Sequence, residues 1–123
     1  GTWSRAPGYG YQNDLLFVAG GTGTSVATWT FAATPGEYRV WATWQALSNR
    51  ASNAPYTILD GTSALGTVLA NQRVAPDDIT DRGVGWEALG DFTVMGNSLV
   101  VRLTNQANGY VIADASARRF NRW

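Results

Sequence analysis

The chemistry open to this chain is set by which polar side chains it carries and which it lacks. All nine of its cationic side chains are arginine, balanced by nine Asp and Glu, and there is no His, Cys or Lys. Without His or Cys there is no Ser-His-Asp or Cys-His nucleophile, no zinc site on imidazole or thiolate, and no haem or iron–sulfur ligation. Without Lys there is no Schiff base and no P-loop lysine, so Gly20-Gly21-Thr22-Gly23 is a glycine turn and not a phosphate loop. Carboxylates remain, but glycoside-type catalysis needs two of them at a defined separation, and the sequence marks no such pair. The inventory is that of a binding domain, not an enzyme.

The groups present in strength are flat: six Trp, five Tyr, the arginines and several Asn. Aromatic faces suit the C–H surface of a sugar ring, and planar guanidinium or amide groups suit paired hydroxyls or a carboxylate. Trp41 and Arg39 are the first candidates for ligand binding. They share one side of a strand whose other side is claimed by Tyr38, Val40, Ala42 and Trp44. Tyr9 and Tyr11 lie in a glycine-flanked loop, Pro7–Asn13, able to present a stacking platform or to fold over the core edge. Arg50 and Asn53, with Asn49, supply donors in one loop, and Asn108 flanks another with Tyr110. For these loop residues the competing reading is structural, since Asn mimics turns and Arg ties long loops down.

Two acidic features stand apart. Asp77, Asp78 and Asp81 cluster between Pro76 and Gly83 and offer oxygen ligands for Ca²⁺. The EF-hand spacing is not met, and a solvated turn is the favoured reading; no other cofactor is expected. Asp114 interrupts the apolar run Val111–Ala115 and, as a buried acid, requires a partner, for which Arg50 is the expected guanidinium.

The elements that position these residues are strands. No segment shows an apolar period near 3.6, whereas period-two alternation recurs between Gly, Pro, Asn and Asp clusters. Eight runs stand out: Leu15–Val18, Val26–Phe31, Glu37–Trp44, Tyr56–Leu59, Leu65–Asn71, Val84–Val94, Ser98–Leu103 and Tyr110–Ala117. Thr34-Pro35-Gly36 predicts a hairpin or near-hairpin between the second and third runs, and Asp60-Gly61 a hairpin between the fourth and fifth, with a loop longer than two residues. Gly90 is the expected bulge in Val84–Val94, shifting its alternation. The expectation is one all-β domain over residues 1–123: a jelly-roll β-sandwich of two antiparallel sheets with eight or nine strands.

From Trp86 onward the pattern becomes specific. Trp86-x-x-Leu89-Gly90-x-Phe92, Leu99–Leu103 and Ala107–Ala115 resemble the golvesin C-terminal-like domain, also described as the carbohydrate-binding module attached to xanthan lyases. Asn49–Ile58 looks like that family's Asn-Arg-Ala-Thr-Asn-Ala-Pro-Tyr-Thr-Ile hallmark, and Gly1–Ser4, Ala27–Phe31 and Tyr38–Trp44 agree. The chain departs at Ala113–Phe120, where the family ending Ala-Asp-Ala-Val-Arg is replaced. It also lacks the Glu-x-Glu that supplies calcium in related sugar-binding sandwiches. The resemblance implies a galactose-binding-like sandwich.

Such domains are appended to secreted polysaccharide-degrading enzymes or repeated in bacterial surface proteins. The expected function is a non-catalytic carbohydrate-binding module, excised from a larger secreted or cell-surface protein. It anchors the linked domains to a polysaccharide, acidic or neutral. The alternative is a structural or adhesive repeat with no small ligand. Zero net charge argues against nucleic acid, and the longest apolar stretches are too short for membrane insertion.

Overall fold

A computed structural model describes residues 3–7, 14–81 and 83–120, excepting the side chains of Ala6, Pro7, Asp14 and Phe120. Tyr9 and Tyr11 lie outside the described residues. The described residues form eleven strands: β1 (Ser4–Pro7), β2 (Asp14–Val18), β3 (Val26–Ala32), β4 (Gly36–Thr43), β5 (Ala54–Asp60), β6 (Ser63–Ala70), β7 (Ile79–Asp81), β8 (Val84–Val94), β9 (Ser98–Thr104), β10 (Val111–Ala113) and β11 (Ala115–Phe120). They form three antiparallel sheets, ordered β1-β2-β10, β11-β4-β8-β7 and β3-β9-β5-β6.

Alternation explains where the core lies. Tyr38, Val40 and Ala42 of β4, Ala54, Tyr56 and Ile58 of β5, and Leu99, Val101 and Leu103 of β9 are all buried. They join Leu15 of β2, Leu89 and Val94 of β8 and all of β10 in one contiguous cluster. The core therefore draws on the inner faces of all three sheets. Each fully buried Val, Leu or Ile contributes about 1.5–3 kcal/mol relative to exposure.

The count of eleven strands in three sheets, against the expected eight or nine in two, has local causes. Tyr110–Ala117 does not run through as one strand. Ile112 pairs with Phe17 on β2, whereas Ala115 pairs with Thr43 on β4, so the chain changes sheets at Asp114. β1 and β7 are short strands at sheet edges, and all of β7 is exposed, so neither carries an apolar alternation.

The expected hairpin around Thr34-Pro35-Gly36 also does not form: β3 pairs with β9, and β4 with β8 and β11. The turn instead carries the chain from one sheet to another. The Tyr38 hydroxyl holds it there, donating to Thr34 O at 2.9 Å and accepting from Thr34 N at 3.0 Å. Arg118 of β11 straps the same corner, donating to Ala32 O at 3.1 Å and lying 5.2 Å from the Phe31 ring centre. At Asp60 the hairpin is present but tighter than expected, since Asp60 pairs with Ser63 and only Gly61 and Thr62 lie between. Gly61, with φ of 60°, supplies the left-handed residue this turn needs.

Two buried amides close the ends. The Gln72 side chain donates to Ile112 O at 3.0 Å and to Tyr56 Oη at 3.1 Å, and accepts from Ile112 N at 2.8 Å. It replaces a missing neighbouring strand for Ile112. Asn105 Oδ1 accepts from Gly23 N and Ser25 N, and its Nδ2 donates to Ala19 O.

Candidate ligand-binding cleft

The outward face of the β11-β4-β8-β7 sheet collects the aromatic and arginine side chains that the core does not take. On β4 the alternation that buries Tyr38, Val40 and Ala42 turns Arg39 and Trp41 outward. Trp41 is paired with Ala117 on one side and Ala88 on the other, so its indole rises between two small residues. Ser116 Oγ donates to Trp41 O at 2.8 Å and fastens β11 beneath it.

A bulge adds a second indole. Val40 pairs with Gly90 but Trp41 pairs with Ala88, so Leu89 is an extra residue and the two faces of β8 exchange there. Gly90 takes a φ of 139°, as the bulge requires. Phe92 and Val94 therefore lie on the core side, while the equally even-numbered Ala88 and Trp86 lie on the other face, where Trp86 is largely covered and forms part of the cleft wall. Ile79 of β7 pairs with Trp86 across the sheet. The result is a cleft of about 570 Å³ lined by Trp41, Trp86, Ile79, Asp81, Ala115, Ala117 and Arg119, among others. That volume is within the usual range of ~300–1,000 Å³ for small-molecule sites.

Charge is arranged at its ends. Arg119, Arg39 and Asp91 stand in one cross-strand row. Arg39 donates from Nε to Asp91 Oδ1 at 2.8 Å and from Nη2 to Asp91 Oδ2 at 3.1 Å. These bonds, reinforced by the Asp91 and Glu37 charges, hold the Arg39 guanidinium above its ordinary pKa. Asp81 marks the opposite end.

The loop candidates form a separate constellation whose hydrogen bonds are made within the chain. Arg50, nearly buried, donates from Nε to Gln45 O, from Nη1 to Asn49 Oδ1 and from Nη2 to Gln45 Oε1. Burial lowers its pKa from the arginine value. The expected pairing of Arg50 with Asp114 is absent, because Asp114 sits where the chain crosses between sheets. Asp114 borders a different cavity with Trp3, Leu15 and Trp29. Asn108 N donates to Asn53 Oδ1 and Ser52 N to Asn108 Oδ1, each at 3.0 Å, a reciprocal clamp between the two loops. Trp41 and Arg39 are thus brought together on one face, and Arg50, Asn53 and Asn108 are brought together elsewhere.

The acidic cluster is also regrouped. Asp77 and Asp78 converge with Glu87 of β8, their ligand oxygens within 4.8 Å of one another, while Asp81 leaves for β7 and the cleft. Partial burial, with the Asp78 and Asp77 charges, raises the Glu87 pKa above its ordinary value. Asp78 Oδ2 accepts from Ala88 N at 2.7 Å, so the loop is laced to β8 just behind Trp41. Trp86, Ile79 and Arg119 escaped the sequence reading. For Trp86 the signal was the glycine-marked bulge, which sends it to the face opposite Phe92.

The family model of the golvesin C-terminal domain matches residues 1–117. The chain belongs to the golvesin C-terminal domain family. Among solved structures it is similar to a xanthan lyase of Paenibacillus, at 30% identity and a TM-score of 0.74 over 96% of the chain. It spans 11% of the length of that enzyme, so what the two share is one small domain of a much larger protein. Comparison with curated proteins gives no match. Among the described residues no helix is long and apolar enough to cross a membrane.

Proposed function

We propose that this domain is a non-catalytic carbohydrate-binding module, joined to a larger secreted protein, and that it holds a polysaccharide in the Trp41 cleft. The observation that carries the reading is the juxtaposition of Trp41 and Trp86 with Arg119 and Asp81 on an outward sheet face. Trp41 offers an aromatic surface between two alanines, and charged side chains at either end offer hydrogen bonds to sugar hydroxyls. The whole of residues 1–123 is read as one domain, its two four-stranded sheets forming the faces of a galactose-binding-like jelly-roll sandwich. Membership of the golvesin C-terminal family and likeness to a segment of a xanthan lyase support a polysaccharide context. A module of this kind raises the local concentration of a linked catalytic domain at its polymer.

Arg39 shapes the cleft end through its pairing with Asp91. Arg50, Asn53 and Asn108 act here as ties that hold the loops, with no metal or other cofactor required for binding.

Affinity electrophoresis through gels containing acidic and neutral polysaccharides tests the proposal. Trp41→Ala is expected to lose retardation on the retaining polymer with little change in melting temperature. Unaltered migration of the native protein across the whole panel would favour the alternative, a spacer or adhesive repeat that binds no saccharide. Reducing-sugar release from the same polymers checks the absence of hydrolysis.

A further inference from the structure

We propose that the cleft selects a sugar residue bearing a carboxylate, such as a uronic acid, and that Arg119 is the side chain that binds it. This rests on the reading of the cleft as a saccharide site and adds its specificity.

Arg119 and Arg39 are direct cross-strand partners, and Asp91 is the partner of Arg39 on its other side. Neighbouring strands lie about 4.8 Å apart, so two guanidiniums and one carboxylate crowd into one row. Arg39 is committed: its Nε and Nη2 form a fork on the two Asp91 oxygens. Arg119 is exposed and makes no hydrogen bond or ion pair to another described residue. The row therefore carries one cation more than it answers.

Position turns that surplus into selectivity. Ala115, Ala117 and Arg119 follow each other along the outward face of β11, and all three line the cleft. A pyranose ring seated over Trp41 and the alanines has its edge at Arg119. The guanidinium fork matches a carboxylate in two parallel N–H···O bonds, which a neutral hydroxymethyl cannot reciprocate. The other end holds Asp81, whose negative charge repels a second anion and sets the orientation of the chain. Tying Arg39 to Asp91 also denies Arg119 a competing internal carboxylate at that position.

Isothermal titration with a glucuronate-containing oligosaccharide, and with the same oligosaccharide after carboxyl reduction, tests the proposal. The native protein is expected to prefer the acidic form, with affinity falling between 50 and 500 mM salt as a partly exposed ion pair is screened, roughly over a Debye length of 14 to 4 Å. Arg119→Gln is expected to weaken the acidic ligand about ten-fold and leave the reduced one unchanged, while Arg119→Lys restores part of the preference. Asp91→Asn releases a second guanidinium and is expected to strengthen the acidic ligand. Equal binding of the two forms, unaffected by Arg119→Gln but abolished by Trp41→Ala, overturns the selectivity and leaves the saccharide cleft standing. Binding of neither form to the native protein overturns both.

Discussion

Replacing Gln72 by Leu tests how the crossing into β11, and with it the cleft, is held in place. Gln72 is fully buried, as are Ile112 and Tyr56, so water cannot substitute for what its amide supplies. Leucine keeps most of the volume but removes three hydrogen bonds: the donors to Ile112 O and Tyr56 Oη and the acceptor for Ile112 N. Each orphaned buried group costs about 1–3 kcal/mol, and part of the total is offset because leucine itself prefers the interior. The expected net loss is about 3 kcal/mol, which in a domain of this size lowers the melting temperature by about 10 °C. Urea unfolding followed by tryptophan fluorescence measures the free energy. Tyr56→Phe, which removes one of the three bonds, is expected to cost about 1 kcal/mol, and the double variant to show coupling of similar size. Amide exchange at Ala113–Ala117 is expected to quicken in Gln72→Leu, because Ile112 stands two residues before the crossing at Asp114. A loss below about 1 kcal/mol, with unchanged exchange there, would refute the argument that this amide replaces a strand.

The remaining predictions concern charge and loop ties. Burial raises the folded Glu87 pKa above 4.5, so the folded state holds its proton more tightly and the associated stability is lost as pH rises through that elevated pKa. Glu87→Gln is therefore expected to raise the melting temperature at pH 7 and to have little effect at pH 4, read by thermal scans across pH. Millimolar Ca²⁺ is expected to leave the native melting temperature unchanged; a rise that Glu87→Gln abolishes would instead show the Asp77–Asp78–Glu87 group holding the ion. Burial, the dominant cause, pushes the Tyr56 hydroxyl well above the ordinary tyrosine value. Stability should accordingly fall as pH rises beyond about 10, and Tyr56→Phe should flatten that fall in alkaline urea titrations. Asn108→Ala breaks the loop clamp and is expected to cost about 1–2 kcal/mol in chemical unfolding while leaving polysaccharide retardation intact at temperatures where it is folded.

The strands of the core were legible because their burial is one-sided. In β9, and in β4 from Tyr38 to Ala42, every second residue is buried even though Val100 and Trp41 on the other face are apolar, and a period of two admits a single assignment of faces. Trp41 and Arg39 could be placed outward by the same argument. Beyond the Asp60-Gly61 hairpin pairing was not legible, because alternation says which side a residue faces and nothing about which strand lies beside it. The hairpin expected at Pro35 illustrates this: a turn signal fixes a reversal of direction, while Tyr38 and Arg118 decide that the reversal crosses between sheets. Asp114 illustrates it again. An acid within an apolar run looked like a buried charge in need of Arg50, but the backbone changes sheets at that residue, and Arg50 is spent on Gln45 and Asn49.

Composition and local pattern by themselves determined that the chain is all-β, that its positive charge is arginine, that His, Cys and Lys chemistry is excluded, and that residues spanning most of its length follow the golvesin C-terminal pattern. Those conclusions need only residue identity and short-range periodicity. Tertiary structure alone decided that Trp86 joins Trp41, that Glu87 replaces Asp81 beside Asp77 and Asp78, and that Arg119 stands against an Arg39 already bound to Asp91. The physical reason is the same in each case. Trp41 and Trp86, Arg39 and Asp91, and Arg39 and Arg119 lie 45, 52 and 80 positions apart and become neighbours only through strand register, Asp77 and Asp78 reach Glu87 only because the chain folds back along β8, and one extra residue at the Leu89–Gly90 bulge is enough to exchange the faces of everything before it.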